Sequence, residues 1–395
     1  MATLGFMDSD GVDLGNKYVT KDYVMTWYPN LPSNMKAPQL WVWGSNSYGQ
    51  LGDNSTVDKS SPVQAAAGGT NWRLVASFQS TAAIKLDGTL WTWGRNDFGQ
   101  LGDNSTTNKS SPIQTIASGT NWRTVSTGYL HTTAIKTDGT LWGWGWNGNG
   151  QLGDNTTVDK SSPVQTIAGG NNWKQVACGL AHTAAVKTDG TLWCWGKDNY
   201  GQLGDNTTVS KSSPVQTITG GTNWTQVSCN WVHTAAIKTD GTLWLCGYNV
   251  FGQLGDNTTV RKSSPVQTVG GGTNWRSVAC GMYHTAAIKT DGTLWTWGYD
   301  NYGQLGDSTL VKKSSPVQTV AGGTNWKTVA CGGSNTAAIK TDGTLWVWGY
   351  NGNGQLADGT TVNKSNPVQT TLGGSNWKTV ACGYTMLALS EASGW

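Results

Sequence analysis

The chain has 395 residues, 12% of them charged, with 26 basic against 23 acidic side chains. This near balance excludes the basic field that gathers nucleic acid or binds an anionic membrane surface. No apolar run approaches the about 18 residues of a membrane-spanning helix, and the N-terminal stretch lacks the basic and apolar regions of a signal peptide. Composition therefore predicts a soluble protein with no nucleic-acid partner and no membrane insertion.

Residues 1–39 form a segment unlike the rest of the chain. The segment is rich in aromatic and β-branched residues, ends in a proline-punctuated linker, and is too apolar for a disordered tail. Burial of its large side chains requires docking either on the rest of the same chain or on another subunit. We predict the second, an assembly arm that binds other protein subunits through Tyr18, Tyr23, Trp27 and Tyr28.

Residues 40–395 are predicted to form one domain of repeated units. The leucine of an L-W pair recurs at a spacing of 50 once and 51 five times, at Leu40, Leu90, Leu141, Leu192, Leu243, Leu294 and Leu345. Each repeat contains LWxWG, GQLGD, KSSPVQT, GGTNW, a VACG-like stretch and HTAAIKTDG, in that order. A period in this range with a β-rich composition is typical of propeller blades.

One repeat divides into four strands, as in the unit that begins at Trp275. Its short β-rich runs are SVACG, HTAAIK, TLWTW and PVQTV, and a Thr-Asp-Gly turn between the second and third predicts a hairpin. Trp295 and Trp297 share one face of the third strand, and Leu294 and Thr296 share the other. This pattern indicates a sheet that is packed on both faces by neighbouring blades.

The two ends of the repeat array complete each other. The array begins with a third and a fourth strand at LWVWG, and its last unit supplies a first and a second strand in VACGYTMLALS. Pairing these halves builds one further blade and removes the open sheet edges of an unclosed array. The sequence therefore predicts an all-β fold, a seven-bladed β-propeller of four-stranded blades, closed by a blade shared between the two ends and preceded by an N-terminal extension.

The motifs WGxNxxGQLGD, KSSPVQ and CGxxHTAAIKTDGTLW are similar to the repeat of the regulator of chromosome condensation family over residues 40–395. The resemblance implies a seven-bladed propeller that acts through protein contacts, as in a nucleotide exchange factor on chromatin, parts of ubiquitin ligases and a secreted inhibitor of β-lactamase. An exchange factor would further have a projecting wedge, which repeats of 50 or 51 residues leave no room for. The arm stretch DLGNKYVTKDYVMTWYP is similar to N-terminal segments of virion or fibre proteins of marine bacteriophages.

One glycine motif suggests a cofactor site. Gly148, Gly150 and Gly153 satisfy G-x-G-x-x-G, but the motif leads into a strand instead of the helix that binds a pyrophosphate. The GQLGD element around it also recurs in every repeat, as GQLAD in the last, which favours an architectural role. Since no nucleophile elbow, zinc-binding or Walker sequence is present, we predict no enzyme activity, no cofactor and no metal.

Four histidines stand at equivalent places in successive repeats, which suggests either a metal site or a structural role. Neighbouring sheets lie about 10 Å apart, whereas a ligand atom lies about 2 Å from its metal. We therefore predict that His131, His182, His233 and His284 form structural hydrogen bonds at strand starts. The aspartates of GQLGD and TDG are predicted to cap turns and the seven cysteines to be buried and unpaired. The KSSP lysines form either a solvated rim, which we favour, or an anion-binding ring.

Binding residues are predicted from positions that differ between otherwise similar repeats. The turn between the first and second strands varies, and large side chains in exposed turns are of the types that anchor protein interfaces. These turns and the loops after the third strand are expected to converge on one face around the central channel. The predicted partner-binding residues are Phe78, Tyr129, Leu130, Trp231, Val232, Met282, Tyr283 and Tyr384.

Two functions remain open at this point. The first is a non-enzymatic propeller scaffold that presents a protein- or glycan-binding face and is tethered by its arm to a larger assembly, with a bacteriophage virion as the predicted location. The alternative is a free protein-binding regulator or inhibitor. Deletion of residues 1–39 discriminates them, because an inhibitor works without the arm whereas an assembly component loses incorporation.

Overall fold

The structure, a computed structural model, describes residues 38–66, 71–117, 119–270 and 272–391. In these residues 28 strands form seven four-stranded antiparallel sheets, each of which is one blade. The predicted seven-bladed, all-β propeller is thereby confirmed. The described ranges contain no helix long and apolar enough to cross a bilayer. The predicted arm residues Tyr18, Tyr23, Trp27 and Tyr28 lie outside the described residues.

The strands are numbered along the chain, and consecutive strands are hydrogen-bonded neighbours within a blade. Blade 1 comprises β3 (Trp72–Ser77), β4 (Ser80–Lys85), β5 (Leu90–Gly94) and β6 (Lys109–Gln114). Blade 2 comprises β7 (Trp122–Thr127), β8 (His131–Lys136), β9 (Leu141–Gly145) and β10 (Lys160–Gln165). Blade 3 comprises β11 (Trp173–Cys178), β12 (His182–Lys187), β13 (Leu192–Gly196) and β14 (Lys211–Gln216). Blade 4 comprises β15 (Trp224–Asn230), β16 (His233–Lys238), β17 (Leu243–Gly247) and β18 (Lys262–Gln267). Blade 5 comprises β19 (Trp275–Cys280), β20 (His284–Lys289), β21 (Leu294–Gly298) and β22 (Lys313–Gln318). Blade 6 comprises β23 (Trp326–Cys331), β24 (Asn335–Lys340), β25 (Leu345–Gly349) and β26 (Lys364–Gln369). Blade 7 comprises β27 (Trp377–Cys382), β28 (Thr385–Ser390), β1 (Gln39–Gly44) and β2 (Lys59–Gln64).

Blade 7 is shared between the two ends of the array, as the sequence predicts. Its strand order is β2-β1-β28-β27, and β1 pairs with β28 from Gln39↔Ser390 to Gly44↔Thr385. The first strands of successive blades contact one another in turn, and β27 contacts β3. The first strands therefore form a closed inner ring around the channel.

The core lies between blades, because each sheet buries both of its faces. The indole of Trp297 is fully buried 5.9 Å from that of Trp275, and both pack with Leu245 of blade 4. Leu294, on the opposite face of the same strand, packs with Trp348 of blade 6. The alternation in LWxWG thus assigns each face of a third strand to a different neighbour.

The GQLGD loop is an inter-blade contact, which explains why it recurs. The Gln50 carbonyl oxygen accepts hydrogen bonds from Thr81 Oγ1 at 2.8 Å and Trp93 Nε1 at 2.9 Å in the next blade. Gly49 has a φ of +78°, and a Cβ there would lie 2.5 Å from the Ser110 Cα. Only glycine fits this close approach with a positive φ.

The fourth strand starts earlier than its predicted PVQTV core. In blade 5 it begins at Lys313, which pairs with Gly298, and the register shifts before Val317 pairs with Thr296. The irregularity spans Pro316, whose missing N–H rules out regular pairing but is tolerated on the outermost strand at a bulge. The sequence pattern did not reveal the residues before Pro316 as part of the strand, because the proline interrupts the pairing and regular pairing resumes only beyond it.

Candidate functional site

The turns of each blade lie at two opposite ends of the propeller. At one end the TDG turns meet the GGTNW segments, as where Trp224 N donates to the Gly190 carbonyl oxygen of the preceding blade at 2.9 Å. At the other end lie the turns between first and second strands and the loops after third strands. We call this second end the variable face. Because the first strands line the channel, their turns surround its mouth.

Five aromatic side chains meet at the mouth of the channel on the variable face. We call Phe78, Tyr129, Trp231, Tyr283 and Tyr384 the central aromatic cluster. The Phe78 ring lies 5.8 Å from Tyr129, 5.5 Å from Tyr384 and 6.3 Å from Trp231, on which it stacks at 15°. Trp231 also lies 5.4 Å from Tyr129 and 6.5 Å from Tyr283. The side chains come from blades 1, 2, 4, 5 and 7, so the predicted convergence is confirmed.

The expectation that these residues stand in exposed turns is wrong for three of them. Phe78, Leu130 and Val232 are only 3%, 8% and 4% exposed. Turns from all blades crowd into a narrow mouth, so the inner side chains are covered by their neighbours. The remaining predicted residues are half-buried, namely Tyr129, Trp231, Met282, Tyr283 and Tyr384. Burial raises the pKa of the Tyr384 hydroxyl to about 12.

Trp231 is positioned by a residue that sequence reasoning missed. Asn230 stands where four of the other repeats have the glycine of VACG, and it extends β15 by one residue. Its Oδ1 accepts from Trp231 N at 2.8 Å, and its Nδ2 donates to the Cys280 carbonyl oxygen of blade 5 at 3.1 Å. The Trp231 carbonyl oxygen in turn accepts from Leu180 N of blade 3 at 2.9 Å. An asparagine at a repeated glycine position was the available signal.

A second aromatic group runs from blade to blade across blades 3 to 6. We call Tyr200, Tyr248, Phe251, Tyr299, Tyr302 and Tyr350 the outer aromatic row. Neighbouring rings along this row are 4.8–6.2 Å apart. The row joins the central cluster at Tyr283, which lies 5.9 Å from Tyr248 and 5.1 Å from Phe251. The loops after the third strand were predicted to vary, with Tyr248 among the varying residues, but the other five aromatic positions were not singled out.

Cations and one cavity accompany the outer aromatic row. The Arg261 guanidinium carbon lies 4.6 Å from the Tyr200 ring centre and 5.1 Å from that of Tyr248, and Lys312 Nζ lies 6.0 Å from that of Phe251. A cavity of about 120 Å³ opens beside them. Its lining residues are Leu180, Lys197, Tyr200, Trp231, Val232, Tyr248 and Tyr283. This half of the variable face is therefore both aromatic and cationic.

Comparison with known proteins follows from the fold. Residues 39–389 match the RCC1-like domain family. The chain belongs to this family. It is 33% identical over 247 residues to the ultraviolet-B receptor UVR8 of Arabidopsis thaliana, covering 62% of this chain and 56% of that protein. It is 31% identical over 270 residues to the human E3 ubiquitin-protein ligase HERC2, covering 66% of this chain and 6% of that protein.

Two solved structures share the fold of this RCC1-like propeller. Human WBSCR16 has a TM-score of 0.80 at 24% identity, with 90% of this chain and 99% of that chain covered. Prp20p of Saccharomyces cerevisiae has a TM-score of 0.81 at 18% identity, with 95% of this chain and 96% of that chain covered. At these identities the likeness concerns architecture. The chain spans about half the length of UVR8 and a small part of HERC2.

The repeated histidines of the RCC1-like propeller form structural hydrogen bonds, as predicted. His131 Nε2 lies 3.1 Å from Thr183 Oγ1, which donates its only proton to the Gln151 carbonyl oxygen at 2.8 Å. His131 therefore donates through Nε2 and is neutral with an unprotonated Nδ1. His182, His233 and His284 repeat this contact with the next blade. Burial lowers the pKa of all four imidazoles to about 3.

The lysines of KSSPVQ are paired with aspartates of their own repeat. All seven lie 3.3–3.7 Å from the GQLGD or GQLAD carboxylate, as in Lys262 and Asp256 at 3.5 Å. The favoured interpretation, a rim whose charges are offset by aspartates, is confirmed over the anion-binding ring. The TDG aspartates cap turns as predicted, since Asp138 accepts from Thr140 N at 2.9 Å and Thr140 Oγ1 at 2.7 Å. These hydrogen bonds lower the pKa of Asp138.

Two buried carboxyl groups depart from the repeat. In five repeats an asparagine follows the third strand, and Asn249 shows its role: Nδ2 donates to Asp256 Oδ1 at 3.0 Å and to the Thr258 and Val260 carbonyl oxygens at 3.2 and 3.1 Å. Asp198 and Asp300 replace this asparagine and are fully buried. Burial, together with the neighbouring carboxylates of the GQLGD loops, raises the pKa of each to about 7.

The seven cysteines, all within the described residues, form no disulfide, and six of them are buried. Burial raises the pKa of the Cys178 thiol to about 11, so this thiol is not ionised at neutral pH. A thiolate is the form that acts as nucleophile or metal ligand. The cysteines therefore contribute apolar packing, in agreement with the sequence prediction.

Proposed function

We propose that this RCC1-like propeller is a non-catalytic, protein-binding regulator whose partner contacts the variable face. The observation that supports it is the concentration of aromatic side chains from all seven blades on that face, in the segments where the repeats differ most. Aromatic residues that keep one side accessible anchor protein interfaces, because they bury large areas with little loss of side-chain entropy. The proposed binding residues are the outer aromatic row and the four half-buried members of the central aromatic cluster, which pack on the buried Phe78.

The relatives favour a regulator over a virion scaffold. UVR8 is an ultraviolet-B receptor, HERC2 is an E3 ubiquitin-protein ligase, and the structure of Prp20p was described with its binding to Gsp1p and histones. These roles differ, so the shared propeller supports a common way of acting, through protein contacts, and not one reaction. Neither the relatives named here nor the matched residues support the tethering arm, so its assembly role stays a prediction.

The repeated polar residues support a non-catalytic role. The histidines bridge neighbouring blades, the TDG aspartates cap turns, and the GQLGD aspartates pair with lysines. Each of these three sets is thus accounted for by architecture. The aromatic residues of the variable face are the ones that architecture alone does not require.

The proposal is tested with the triple variant Tyr129→Ala, Trp231→Ala, Tyr283→Ala. Partners are identified by affinity capture from the source cells with the full chain, purified, and titrated by calorimetry. We expect the variant to bind more than about 2 kcal/mol more weakly. Because these rings pack on one another, thermal melting must show that the variant is still folded at the assay temperature.

The matched control removes three side chains from the rim. Val57, Val158 and Val362 are 63%, 61% and 61% exposed at equivalent places, in repeats where no cation follows the valine. Their simultaneous replacement by alanine is expected to leave partner affinity unchanged. Equal affinity of the aromatic triple variant and the parent would show that the partner binds elsewhere and would overturn the proposal.

A further inference from the structure

Three cations on the variable face have no carboxylate partner. In the described part of the chain Lys197, Arg261 and Lys312 form no ion pair, whereas every KSSPVQ lysine does. Lys197 lines the cavity, Arg261 lies over the rings of Tyr200 and Tyr248, and Lys312 lies over Phe251. These unpaired charges are gathered on the side of the face that carries the outer aromatic row.

Two of these cations replace residues with a structural role. At the position before the KSSPVQ lysine, five repeats carry an oxygen that accepts the backbone N–H following the third strand at 2.7–3.3 Å; these residues are Asp58, Asn108, Asp159, Ser210 and Asn363. Arg261 and Lys312 have no acceptor and cannot form this bond. Two neighbouring repeats therefore lack this turn-stabilising hydrogen bond. In its place each carries a cation that lies over tyrosine or phenylalanine rings.

The cavity is of a size for one side chain. Its volume of about 120 Å³ corresponds to about four water molecules and is far below the about 300 Å³ at which small-molecule sites begin. Its lining residues are aromatic or aliphatic apart from Lys197, although the surface exposed in the cavity is mostly polar. The rings in its wall can pack on one aliphatic side chain, and Lys197 favours flanking residues that are negatively charged.

We propose that Lys197, Arg261, Lys312 and the outer aromatic row bind an acidic segment of a partner protein, in which carboxylates contact the cations and one apolar side chain enters the cavity. This inference rests on the proposed function and assigns the chemistry of its partner. Charge complementarity favours a carboxylate-bearing segment, because cations that lie beside aromatic rings without a carboxylate partner attract an opposite charge. A single-stranded nucleic acid would need a continuous basic groove, whereas the chain as a whole is nearly neutral.

The probe is a blocked, fluorescent pentapeptide with four glutamates around one leucine, and its counterpart carries four glutamines. Binding to the full chain is measured by fluorescence anisotropy at low and at physiological salt. We expect the glutamate peptide to bind at least tenfold more tightly than the glutamine peptide, with an affinity that falls as salt rises. Equal binding of both peptides would overturn the proposal.

Two sets of variants locate the site. The double variant Arg261→Asn, Lys312→Asn carries the asparagine found in other repeats, so it is expected to restore the turn contact and melt at or above the parent temperature, yet to bind the glutamate peptide at least tenfold more weakly. Arg261→Lys and Lys312→Arg keep the charge and are expected to bind within threefold of the parent. The control Lys327→Asn removes one exposed charge from β23 outside the site and is expected to change nothing. Undiminished binding by the double variant would overturn the proposal.

Two further probes separate other occupants. A ten-nucleotide single-stranded DNA that binds more tightly than the glutamate peptide would overturn the assignment in favour of nucleic acid. The last probe is a peptide of residues 5–14, which contains Asp8, Asp10 and Asp13. If this peptide binds more tightly than the glutamate peptide, the occupant is the chain's own arm, and the assignment to a partner protein is overturned. If the glutamate peptide shows no preference but the Tyr129/Trp231/Tyr283 variant still weakens partner binding, the acidic-segment proposal fails and the proposed function stands. The two failures are therefore distinguishable.

Discussion

Replacing Asp198 and Asp300 by asparagine is expected to stabilise the protein at neutral and alkaline pH. Each carboxyl group lies where five repeats place an amide that donates to a carboxylate and two carbonyl oxygens. An ionised aspartate offers no donor to these oxygens, so folding favours the protonated form and the pKa rises to about 7. Around Asp198 the facing charges are the Asp205 carboxylate and the Lys211 ammonium, 3.4 Å from each other; around Asp300 they are Asp307 and Lys313, 3.5 Å apart.

The sign and size follow from the two protonation states. An unfolded aspartate loses its proton near pH 4, whereas the folded one keeps it until about pH 7, so between these values the native state binds more protons. The free energy of unfolding therefore falls as pH rises through this interval and stays reduced above it. Three pKa units correspond to about 4 kcal/mol. Allowing for the nearby ammonium and for partial access of water, we expect about 2 kcal/mol per site.

The assay is urea unfolding followed by tryptophan fluorescence at pH 5 and pH 8. Asp198→Asn is expected to raise the free energy of unfolding by about 2 kcal/mol at pH 8 and by less than about 1 kcal/mol at pH 5. Asn249→Asp, in a repeat between the two sites, is the matched control and should show the opposite change with the same pH dependence. A stability difference that is constant with pH, or no gain at pH 8, would refute the reasoning.

The buried histidines make the protein acid-sensitive, because their pKa is about 3 in the folded state and about 6.5 in the unfolded state. Below pH 6.5 the unfolded state therefore binds more protons, and the free energy of unfolding decreases as pH falls. His182→Asn, which copies Asn335 of blade 6, should move the acid transition in circular dichroism to lower pH; an unmoved midpoint would contradict this. Deletion of residues 377–395 removes β27 and β28 and exposes the edge of β1, so we expect aggregation or non-cooperative melting, and melting like the full chain would argue against the shared blade. A chain of residues 40–395 should keep its melting temperature but fail to assemble if the arm binds another subunit; a large drop in melting temperature would show that the arm packs on its own propeller.

The architecture could be predicted because the contacts that define it are local in sequence. The LWxWG alternation, the Asp-Gly hairpin turns and the constant spacing all describe contacts within one blade or between neighbours in sequence, and all are confirmed. One local feature was nevertheless missed. The Lys85 ammonium lies 5.0 Å from the Trp72 ring centre and 4.2 Å from that of Trp91, and five other blades repeat this contact. The repeat pattern had assigned no role to the lysine of HTAAIK.

The candidate site was only partly predictable because its contacts cross the channel. Variation between repeats identified Phe78 and Trp231 as members of one surface, but their stacking joins blades 1 and 4, which no local pattern relates. Burial of Phe78, Leu130 and Val232 follows from how many turns share the mouth, which depends on ring closure. Arg261 and Lys312 stand at a position that was not compared between repeats, and their meaning depends on the hydrogen bond that the other residues form there.

The shared blade has a consequence for how the protein folds during synthesis. Blades 1 to 6 each join strands that are neighbours in sequence, so each can form soon after its last strand leaves the ribosome. Strand β1 is made before all of them yet pairs with β28, and it waits with an unpaired edge until nearly the whole chain exists. Closing such a long loop carries an entropic cost that grows only slowly with length, but non-local pairing is slow and leaves the intermediate open to aggregation. Ring closure at blade 7 is therefore expected to limit the folding rate, and helper proteins that shield strand edges would act on β1 and β2.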